Sequence, residues 1–460
     1  MLDYFLKVTG YLNGFLTRGH ERSINAKKNI LASFIIKGFS IAISLLVVPL
    51  SLNYVNPSQY GIWLTLSSMV AWISFFDIGF TQGFRNKFAE AKAKGDTLLA
   101  RIYISTTYFY MGIIFIIVWV FLLIVCQFIN WQTLLNITAD LETEVSRLVI
   151  IIVTYFCFQF VFRIINTMLI ADEKPAKASF LDLLGQFVSL IIIFAFTRLT
   201  KGSLLNLGLA IGVAPTLVIM LATYILFKTQ YKDYLPSIKL VKKEYTKDIM
   251  NLGMKFFVLQ IAFIVQYETT SFLIAHYFDT VQVTSYNIAY KYFFTLQMIF
   301  MILLTPLWSA STVAYNSGDT DWIRGVVKKY LIFLVPFVLF GAIMLVFARP
   351  VYDLWLGKNT VDIKFSISLL CYIFFSTAMF ASIFVNVING IGALKIQFFT
   401  SIFTAIGFLV FSILLIKQFH FGVESILIAA IISNVYGYIL APLQYYHIFI
   451  KKSKSKIWYA

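Results

Sequence analysis

Residues 108–126 read YFYMGIIFIIVWVFLLIVC, a run of nineteen residues without a charged side chain. At about 1.5 Å per residue, a helix of this length crosses a hydrocarbon core of about 30 Å. Similar runs recur along the chain, and 60% of its 460 residues are hydrophobic while only 13% are charged. Soluble domains carry about 25% charge. The sequence therefore predicts an all-α integral membrane protein.

Twelve apolar runs are predicted to span the membrane. Their bounds are 29–53, 59–80, 98–129, 147–171, 178–197, 204–227, 248–277, 283–306, 327–348, 364–389, 396–416 and 422–450. We expect two homologous six-helix bundles around a central cavity. The predicted segments are a cytoplasmic N-terminal segment 1–28, a first half 29–228, a basic cytoplasmic linker 229–247, a second half 248–450 and a basic tail 451–460. The loops are too short for a catalytic domain, so we expect neither an enzyme nor a cofactor.

The distribution of Lys and Arg predicts the orientation. With the N-terminus inside, about 26 of the 37 Lys and Arg residues fall on the cytoplasmic side and about 7 on the outer side. Positive charge collects on the cytoplasmic side, so both termini are predicted to be cytoplasmic. Topology and anionic lipid account for the net charge of +16, and no nucleic-acid partner is expected. The first 28 residues lack an apolar region ending in a cleavage site, so no cleavable signal peptide is predicted.

An internal repeat appears when the sequence is shifted by 223 residues, which aligns five separate helix boundaries. GDT at 95–97 falls on GDT at 318–320, and IN at 165–166 falls on IN at 388–389. We interpret the chain as two homologous halves. Each half has an even number of spans, so both start on the same side and are related by an axis along the membrane normal. Such transporters bind cargo between their halves.

The repeat also bears on a D-x-D motif at Asp319–Asp321. Its counterpart in the first half, Asp96-Thr97-Leu98, lacks the second acid. Both segments precede a predicted helix, where Asp or Thr accepts hydrogen bonds from exposed backbone N–H groups. We therefore predict helix caps here, and no metal site.

Charged side chains within the predicted spans are candidate functional residues, because each costs about 2.5–3.5 kcal/mol at the bilayer centre. They are Lys37, Asp77, Arg163, Asp182, Lys255, Glu268 and Lys291. Lys37, Arg163 and Lys255 lie about 11–13 Å from the cytoplasmic ends of their helices, and Asp182 about 7 Å. These four share the inner half of the membrane and come from both halves of the chain.

The basic members of this set form a predicted anion site. The guanidinium of Arg163 has the planar fork that suits phosphate oxygens, and Lys37, Lys255 and Lys291 are the further candidates. For Lys37 and Lys255 an alternative is that the long side chain reaches the inner interface. The acidic candidates for a coupling ion or proton are Asp182 and Glu268, although Asp182 is also placed to pair with a base.

Uncharged polar and aromatic side chains carry weaker signals. Gln186, Gln260, Gln266 and Asn287 either line a cavity or hold helices together by hydrogen bonds. Trp131, Trp308, Trp322 and Trp355 are predicted at helix ends, where tryptophan marks the membrane interface.

Short motifs cluster around predicted helix 2. They are Tyr60-Gly61 at its start, Asp77-Ile78-Gly79 at its end, and Phe84-Arg85-Asn86-Lys87, Ala89 and Gly95-Asp96 after it, together with the stretch from Arg163 to Lys177. With the two six-helix halves, they resemble the multidrug/oligosaccharidyl-lipid/polysaccharide exporter superfamily. Within it, the chain is similar to the polysaccharide (O-antigen type) lipid-linked oligosaccharide flippases from about Asn29 to Phe449.

The resemblance implies a flippase that moves undecaprenyl-pyrophosphate-linked oligosaccharide repeat units across the bacterial cytoplasmic (inner) membrane by alternating access. Proton or sodium exchange would drive it, and the product would serve O-antigen, lipopolysaccharide or capsule assembly. The implied partners are this lipid-linked substrate, membrane lipids, and the polymerase and chain-length machinery of the same pathway. At the helix 2–3 turn, Asp77, Gly79, Arg85 and Asn86 match the family pattern; a structural ion pair or cap is the alternative there.

Three other functions stay open at this point. A multidrug or cation antiporter would share the fold but would favour an acidic or aromatic cavity. A membrane glycosyltransferase, polymerase or ligase would normally need a catalytic domain or a large outer loop. A non-transporting assembly partner is the last alternative.

Overall fold

A computed structural model describes residues 21–73, 80–172, 174–453 and 455–459, which form helices and turns. The helices in chain order are α1 Glu21–Tyr54, α2 Pro57–Ala71, α3 Phe80–Ala93, α4 Thr97–Cys126, α5 Trp131–Leu135, α6 Ala139–Phe162, α7 Ile164–Ala171, α8 Pro175–Leu199, α9 Leu204–Gly208, α10 Ala214–Lys228, α11 Glu244–Tyr277, α12 Thr280–Asn316, α13 Thr320–Val346, α14 Ala348–Leu356, α15 Phe365–Ile391, α16 Lys395–Lys417, α17 Glu424–Ser433 and α18 Ala441–Tyr445.

Ten stretches of helix in the described part of the chain are long and apolar enough to cross a membrane. The two remaining predicted spans correspond to the 15-residue α2 and the 34-residue α11. The protein is therefore an all-α, multi-pass membrane protein, as the apolar runs predict. One detail differs: the basic segment that follows predicted helix 2 is itself helical, as α3.

Contacts between Cα atoms divide the chain into two compact units. The first unit falls within residues 1–50, 76–127 and 148–256, and the second within 51–75, 128–147 and 257–460. Most of the second unit comes from the predicted second half, but it also includes α2 and α5. The superposition of the two sequence halves stays a prediction.

The two GDT segments form the same local structure. Gly95 and Gly318 have φ angles of +72° and +77°, in the left-handed region that glycine adopts without strain. The Oδ1 atom of Asp96 accepts from the backbone N–H of Leu99 at 2.8 Å, and Asp319 accepts from Trp322 at 2.9 Å. The capping prediction is therefore confirmed at both sites. The second acid of the D-x-D motif, Asp321, pairs with Arg324 one turn on, while Asp319 caps the helix.

A second shared feature lies near the end of each half. A π-helical turn at Leu209–Val213 runs directly into Ala214-Pro215, and another at Tyr436–Leu440 runs directly into Ala441-Pro442. Proline has no backbone N–H for the usual bond to the residue four before it. In both places the N–H of the alanine before proline instead bonds to the carbonyl five residues back, that of Leu209 or Tyr436. The helix thereby accommodates the proline without ending.

Within the second unit, α2 and α12 begin side by side. A Cβ placed on Gly61 would collide with the backbone carbonyl of Thr280, so only glycine permits this approach. Hydroxyl groups close the contact: Ser58 and Thr280 lie 2.7 Å apart, and Thr284 donates to the carbonyl of Pro57 at 2.6 Å. Small residues at helix crossings are the usual means of close packing in membranes. The Tyr60-Gly61 motif thus has a packing role.

The predicted linker 229–247 is anchored to α4 within the first unit. It contains two 3₁₀ turns, Lys232–Tyr234 and Ile238–Leu240. Three hydrogen bonds join it to α4: Arg101 Nε to the carbonyl of Leu235, the N–H of Ser237 to Ser105 Oγ, and the N–H of Lys242 to Thr106 Oγ1. The segment is therefore a packed strap across the end of α4.

Large apolar side chains are abundant on the outside of the helices. Ile117 on α4 is 63% exposed, and Phe403 on α16 is 72% exposed. Their counterparts inside are fully buried, for example Phe115 in the first unit and Phe300 and Met379 in the second. Exposed apolar surface on this scale is stable only against lipid. The outer faces of these helices therefore contact the lipid of the bilayer.

Candidate functional site

A cavity of about 370 Å³ lies within the first unit. We call it the charged cavity. Its lining residues are Ile36, Lys37 and Ser40 from α1; Gln159 and Arg163 at the α6–α7 junction; Ser179, Leu181, Asp182, Gly185 and Gln186 from α8; and Pro215 and Ile219 from α10. Three of the predicted site residues, Lys37, Arg163 and Asp182, therefore share one cavity.

Helical spacing explains why these residues meet. Residues three or four apart lie on one face of a helix, as do Gln159 and Arg163, and Pro215 and Ile219. Arg163 itself forms a one-residue interruption between α6 and α7. Its carbonyl accepts from the N–H groups of Asn166 at 2.9 Å and Thr167 at 3.3 Å, which tightens the turn at this point.

Asp182 is held by two neighbours. Asn166 donates from Nδ2 to Asp182 Oδ1 at 3.0 Å, while Arg163 Nη2 lies 3.5 Å from the same oxygen. The side chains of Arg163 and Asp182 are 54% and 42% exposed. A typical N–H···O hydrogen bond measures about 2.7–3.2 Å. The contact of Arg163 with Asp182 is therefore loose, and the remaining guanidinium N–H groups are available to a ligand.

A polar contact between two helices fixes another part of the lining of the charged cavity. Ser40 Oγ donates to Gln186 Oε1 at 2.6 Å, which ties α1 to α8. Lys37 stands one turn before Ser40 and is exposed. Gln186 thus has both of the roles that the sequence left open, since it lines a cavity and also joins two helices.

Close packing shapes the wall between α8 and α10. A Cβ on Gly185 would lie 3.0 Å from Pro215 Cβ and 3.2 Å from its Cα, so these helices nearly touch. Three lining residues were not predicted as site residues: Gln159, Ser179 and Pro215. Gln159 had a usable signal, because it is a polar residue in an apolar run one turn before Arg163.

The lining has the charge pattern of an anion site. Lys37 and Arg163 contribute two positive charges and Asp182 one negative charge, a formal balance of +1. Serine hydroxyls and glutamine amides add neutral donors. A phosphate or pyrophosphate group entering this space would meet the Arg163 fork and the Lys37 ammonium, both of which form charge-assisted hydrogen bonds with phosphate oxygens.

The other predicted charges lie elsewhere. Lys291 on α12 and Glu268 on α11 are half-buried in the second unit, and neither lines the charged cavity. Lys255 falls within α11, but its side chain lies outside the part of the structure that is described. Its participation in an anion site stays a prediction.

The remaining glutamine and asparagine candidates have mixed roles. Asn287 donates to Ser271 Oγ at 3.2 Å and to the carbonyl of Val283 at 2.9 Å, so it joins α12 to α11. Gln266 is buried in α11, and its backbone carbonyl accepts a hydrogen bond from Thr270 Oγ1 at 3.1 Å. The side chain of Gln260 is outside the described residues.

A second cavity, of about 330 Å³, lies within the second unit. We call it the neutral cavity, because its lining contains no Asp, Glu, Lys or Arg among the described residues. It is lined by Tyr267, Gln297, Met301, Trp308, Phe374, Thr377, Ala378, Ala381, Ser382, Val385, Asn386, Asn389, Ile431, Asn434, Gly437 and Tyr438. The prediction that Trp308 marks a helix end is wrong, since α12 continues to Asn316 and Trp308 lines this cavity.

The motif at the predicted helix 2–3 turn is described only in part. Asp77 and Gly79 lie outside the described residues, so their predicted cap or ion pair is not tested. Arg85 and Asn86 are exposed on α3. On the same helix, Gly83 packs so closely against the carbonyl of Ile249 that no side chain fits. Gly83, two residues before Arg85, thus marks a tight crossing of α3 with α11.

A buried ionic cluster stands outside the spans, next to the family-like stretch that follows Arg163. Asp172 ends α7 and forms ion pairs with Lys92 of α3 and with Lys174, the latter at 2.5 Å. Tyr231, beyond α10, donates from its hydroxyl to Asp172 Oδ2 at 2.6 Å. Burial raises the pKa of Tyr231 to about 12 and lowers the pKa of Lys174. The cluster fastens three segments of the first unit.

Comparison with solved structures defines the class of fold. The chain is similar to an inward-facing multidrug resistance MATE family transporter of the MOP superfamily, with a TM-score of 0.73 and 12% identity over 93% of this chain and all of the other. It is also similar to an outward-facing one, with a TM-score of 0.59 and 14% identity over 96% of this chain and 99% of the other. The protein therefore has the MATE-type transporter fold.

Sequence comparison defines the family. A family model described as polysaccharide biosynthesis protein matches residues 26–310, which is more than half of the chain. A putative O-antigen transporter of Salmonella typhi is 20% identical over 387 residues, which cover 83% of this chain and 86% of the relative. The chain belongs to the polysaccharide biosynthesis protein family. This confirms the resemblance to polysaccharide exporters drawn from the motifs around helix 2.

Proposed function

We propose that this protein is a flippase for undecaprenyl-pyrophosphate-linked oligosaccharide repeat units, working by alternating access in the bacterial cytoplasmic membrane for O-antigen or capsule assembly. The observation that carries the proposal is the charged cavity, where Lys37 and Arg163 meet around one loosely paired carboxylate, that of Asp182. Family membership and the O-antigen transporter relative supply the class of cargo.

The chemistry of the cargo explains the need for such a cavity. A pyrophosphate carries about two negative charges and does not enter hydrocarbon alone, because desolvating an anion is costly. Arg163 and Lys37 replace part of its hydration with charge-assisted hydrogen bonds. The glycan travels through the polar interior while the polyprenyl tail stays in lipid. No chemical bond is made or broken, so the proposed role is transport and not catalysis.

Release requires that the anion is not held too tightly. Asp182 lies 3.5 Å from Arg163 and competes with the cargo for the guanidinium. A change in the protonation or ion occupancy of Asp182, or of Glu268 in the second unit, would alter this balance and couple transport to a proton or sodium gradient. Lys255 and Lys291 are further bases available to the anion along its path.

The orientation and partners belong to the same proposal. Both termini and the strap at 229–247 face the cytoplasm, following the Lys and Arg asymmetry. The polymerase and chain-length machinery of the pathway would receive the flipped lipid on the outer side.

The direct test uses purified protein in proteoliposomes and a radiolabelled undecaprenyl-pyrophosphate oligosaccharide. Arg163→Ala should lower the transport rate at least about tenfold, since one charge-assisted contact is lost. The matched control is Arg198→Ala, an exposed arginine at the end of α8 that stacks on Phe194. Full transport by Arg163→Ala at normal expression would reject the anion site.

A cation antiporter is the second candidate, favoured by one observation, the carboxylate of Asp182 in a cavity of a MATE-type fold. The formal balance of +1 on the lining argues against a cationic cargo. The same proteoliposomes, loaded with a cationic dye, separate the two functions. Transport of the dye without transport of any lipid-linked sugar would replace the flippase with the antiporter.

A further inference from the structure

The neutral cavity of the second unit has no charged side chain in its described lining, yet it is rich in hydrogen-bonding groups. Four amide side chains line it, those of Gln297, Asn386, Asn389 and Asn434. Aromatic rings stand among them, including Trp308. Its volume of about 330 Å³ is at the lower end of the range of small-molecule sites, ~300–1,000 Å³.

The sequence repeat relates this cavity to the charged one. With the offset of 223 residues, Arg163 corresponds to Asn386 and Gln159 to Ser382, and all four residues line their cavities. Asp182 corresponds to Ala405, since 182 plus 223 is 405. The equivalent helix face thus lines a cavity in each half, and the second half has the Asn386 amide in place of the Arg163 guanidinium. Ala405 is buried and is not among the residues that line the neutral cavity.

Several of these amides have unused hydrogen-bonding groups. Asn386 and Asn434 each donate from Nδ2 to a backbone carbonyl one turn back, at 2.8 Å, and their Oδ1 atoms have no partner in the described chain. Oδ1 of Asn389 is buried and also accepts no hydrogen bond there. Gln297 is half-buried and its amide makes no bond to the described residues. Buried polar groups are normally satisfied, and Asn389 Oδ1 is the buried one among these atoms. The amides of Gln297, Asn386 and Asn434 are half-buried, so their free groups are accessible to a ligand with several hydroxyl groups.

We infer that the neutral cavity is a saccharide subsite, which binds an uncharged sugar of the cargo through its hydroxyl groups. The inference rests on the proposed function, which supplies the sugar as part of the cargo.

The chemistry of sugars matches this lining. Each sugar hydroxyl both donates and accepts hydrogen bonds. A side-chain amide has an oxygen that accepts and a nitrogen that donates, so one amide can serve both functions of a hydroxyl. The C–H face of a pyranose ring carries partial positive charge, which suits the negative face of an aromatic ring such as Trp308. A sugar carboxylate would lose its hydration here without a positive partner, and burying an unpaired charge is strongly unfavourable. The subsite therefore selects neutral sugars over uronic acids.

The test measures binding to the full-length protein in nanodiscs, using three synthetic lipids. They are undecaprenyl pyrophosphate, the same lipid with a neutral trisaccharide, and the same lipid with a trisaccharide that contains glucuronic acid. Wild-type protein should bind the neutral glycan lipid at least about fivefold more tightly than the other two. Equal affinity for the neutral and acidic glycan lipids would overturn the inference without any variant.

Variants locate the effect. Gln297→Met and Asn386→Leu should each weaken binding of the neutral glycan lipid about fivefold and leave the sugar-free lipid unchanged. Gln132→Met, on the exposed surface of α5, is the matched control and should change neither. If Asn386→Leu does not fold, Gln297→Met and Trp308→Phe carry the test. Unchanged glycan selectivity in the folded variants would place sugar recognition elsewhere.

The two proposals fail differently. Arg163→Ala should weaken all three lipids equally, because every one carries the pyrophosphate. If it weakens none, the proposed function fails. If it weakens all three while the neutral-cavity variants bind like wild type, the saccharide subsite alone is refuted.

Discussion

Asn166 holds Asp182 more closely than Arg163 does: the distances to the same Oδ1 atom are 3.0 Å from the amide nitrogen and 3.5 Å from the guanidinium. The amide fixes the position of the carboxylate without neutralising it. Arg163 is left with a partner that it can exchange for a stronger anion. Positioning and charge balance are thus handled by different side chains in the charged cavity.

Replacing Asp182 with asparagine should separate binding from transport. Asp182→Asn keeps an oxygen for Asn166 but raises the formal balance of the lining from +1 to +2. Undecaprenyl pyrophosphate should therefore bind about fivefold more tightly, while the rate of transport falls because release is slower. Equilibrium binding and proteoliposome flux are measured on the same preparation. The control is Asp140→Asn, at the exposed start of α6; weaker binding by Asp182→Asn would assign the carboxylate to the cargo itself.

The packing role of Gly61 is testable by adding one methyl group. Gly61→Ala should destabilise the protein by about 1–3 kcal/mol, because the new Cβ meets the backbone of Thr280 and the helices must move apart. Thermal unfolding in detergent is the measurement. Gly112→Ala on α4 is the control, since its Cβ would meet no atom within 4 Å. Equal melting temperatures for the two variants would contradict the tight crossing of α2 and α12.

The pH dependence of stability should report on Tyr231. Burial raises its pKa to about 12, above the ordinary value of 10. A raised pKa means that the folded state binds the hydroxyl proton more tightly than the unfolded state does. The stabilisation that comes from this difference is therefore complete below pH 10 and is lost between pH 10 and 12. Tyr231→Phe removes the hydrogen bond to Asp172 and should lower stability at neutral pH by about 1.5–3 kcal/mol.

The same substitution should flatten the alkaline part of the stability curve. Tyr224→Phe is the control for Tyr231→Phe, because Tyr224 is 58% exposed on α10 and its ring, which contacts Lys228, is kept. An unchanged alkaline transition in Tyr231→Phe would assign that transition to another group.

Orientation can be measured by labelling single cysteines in intact cells. Lys239→Cys, in the strap on the predicted cytoplasmic side, should resist a membrane-impermeant maleimide until the cells are opened. Lys358→Cys, which lies between α14 and α15 on the predicted outer side, should react at once. Both positions are exposed, and the three native cysteines are replaced by serine beforehand. Reaction of Lys239→Cys in intact cells would reverse the topology.

The fold could be predicted from the sequence because a bilayer permits few kinds of backbone structure. Apolar runs of sufficient length must be helical, since lipid satisfies no backbone group. The same constraint grouped Lys37, Arg163, Lys255 and Asp182 in prediction, because charges that cannot face lipid turn inward and all four fall in the inner half of the membrane. The structure places Lys37, Arg163 and Asp182 on the charged cavity, and the side chain of Lys255 lies outside the described residues.

The neutral cavity could not be predicted in the same way. Asparagine and glutamine within a span serve equally well to join helices, as Asn287 does, or to line a space, as Asn386 does. The free-energy cost of placing an amide side chain in the membrane is too small to determine which way that side chain faces. Trp308 was ambiguous for a related reason, because α12 extends well beyond the hydrophobic run that located it. Whether such a side chain joins two helices or lines a cavity depends on how the helices pack against each other, which the sequence does not show.

The twin π turns have a mechanical consequence. Pro215, just after the first, lines the charged cavity, while Gly437 and Tyr438, inside the second, line the neutral one. A helix is most compliant where its regular hydrogen bonds are interrupted. Each cavity therefore has one wall where the regular hydrogen bonding of the helix is interrupted. If the cavities bind cargo as proposed, bending of the helix at that wall would adapt each cavity to cargoes of different size.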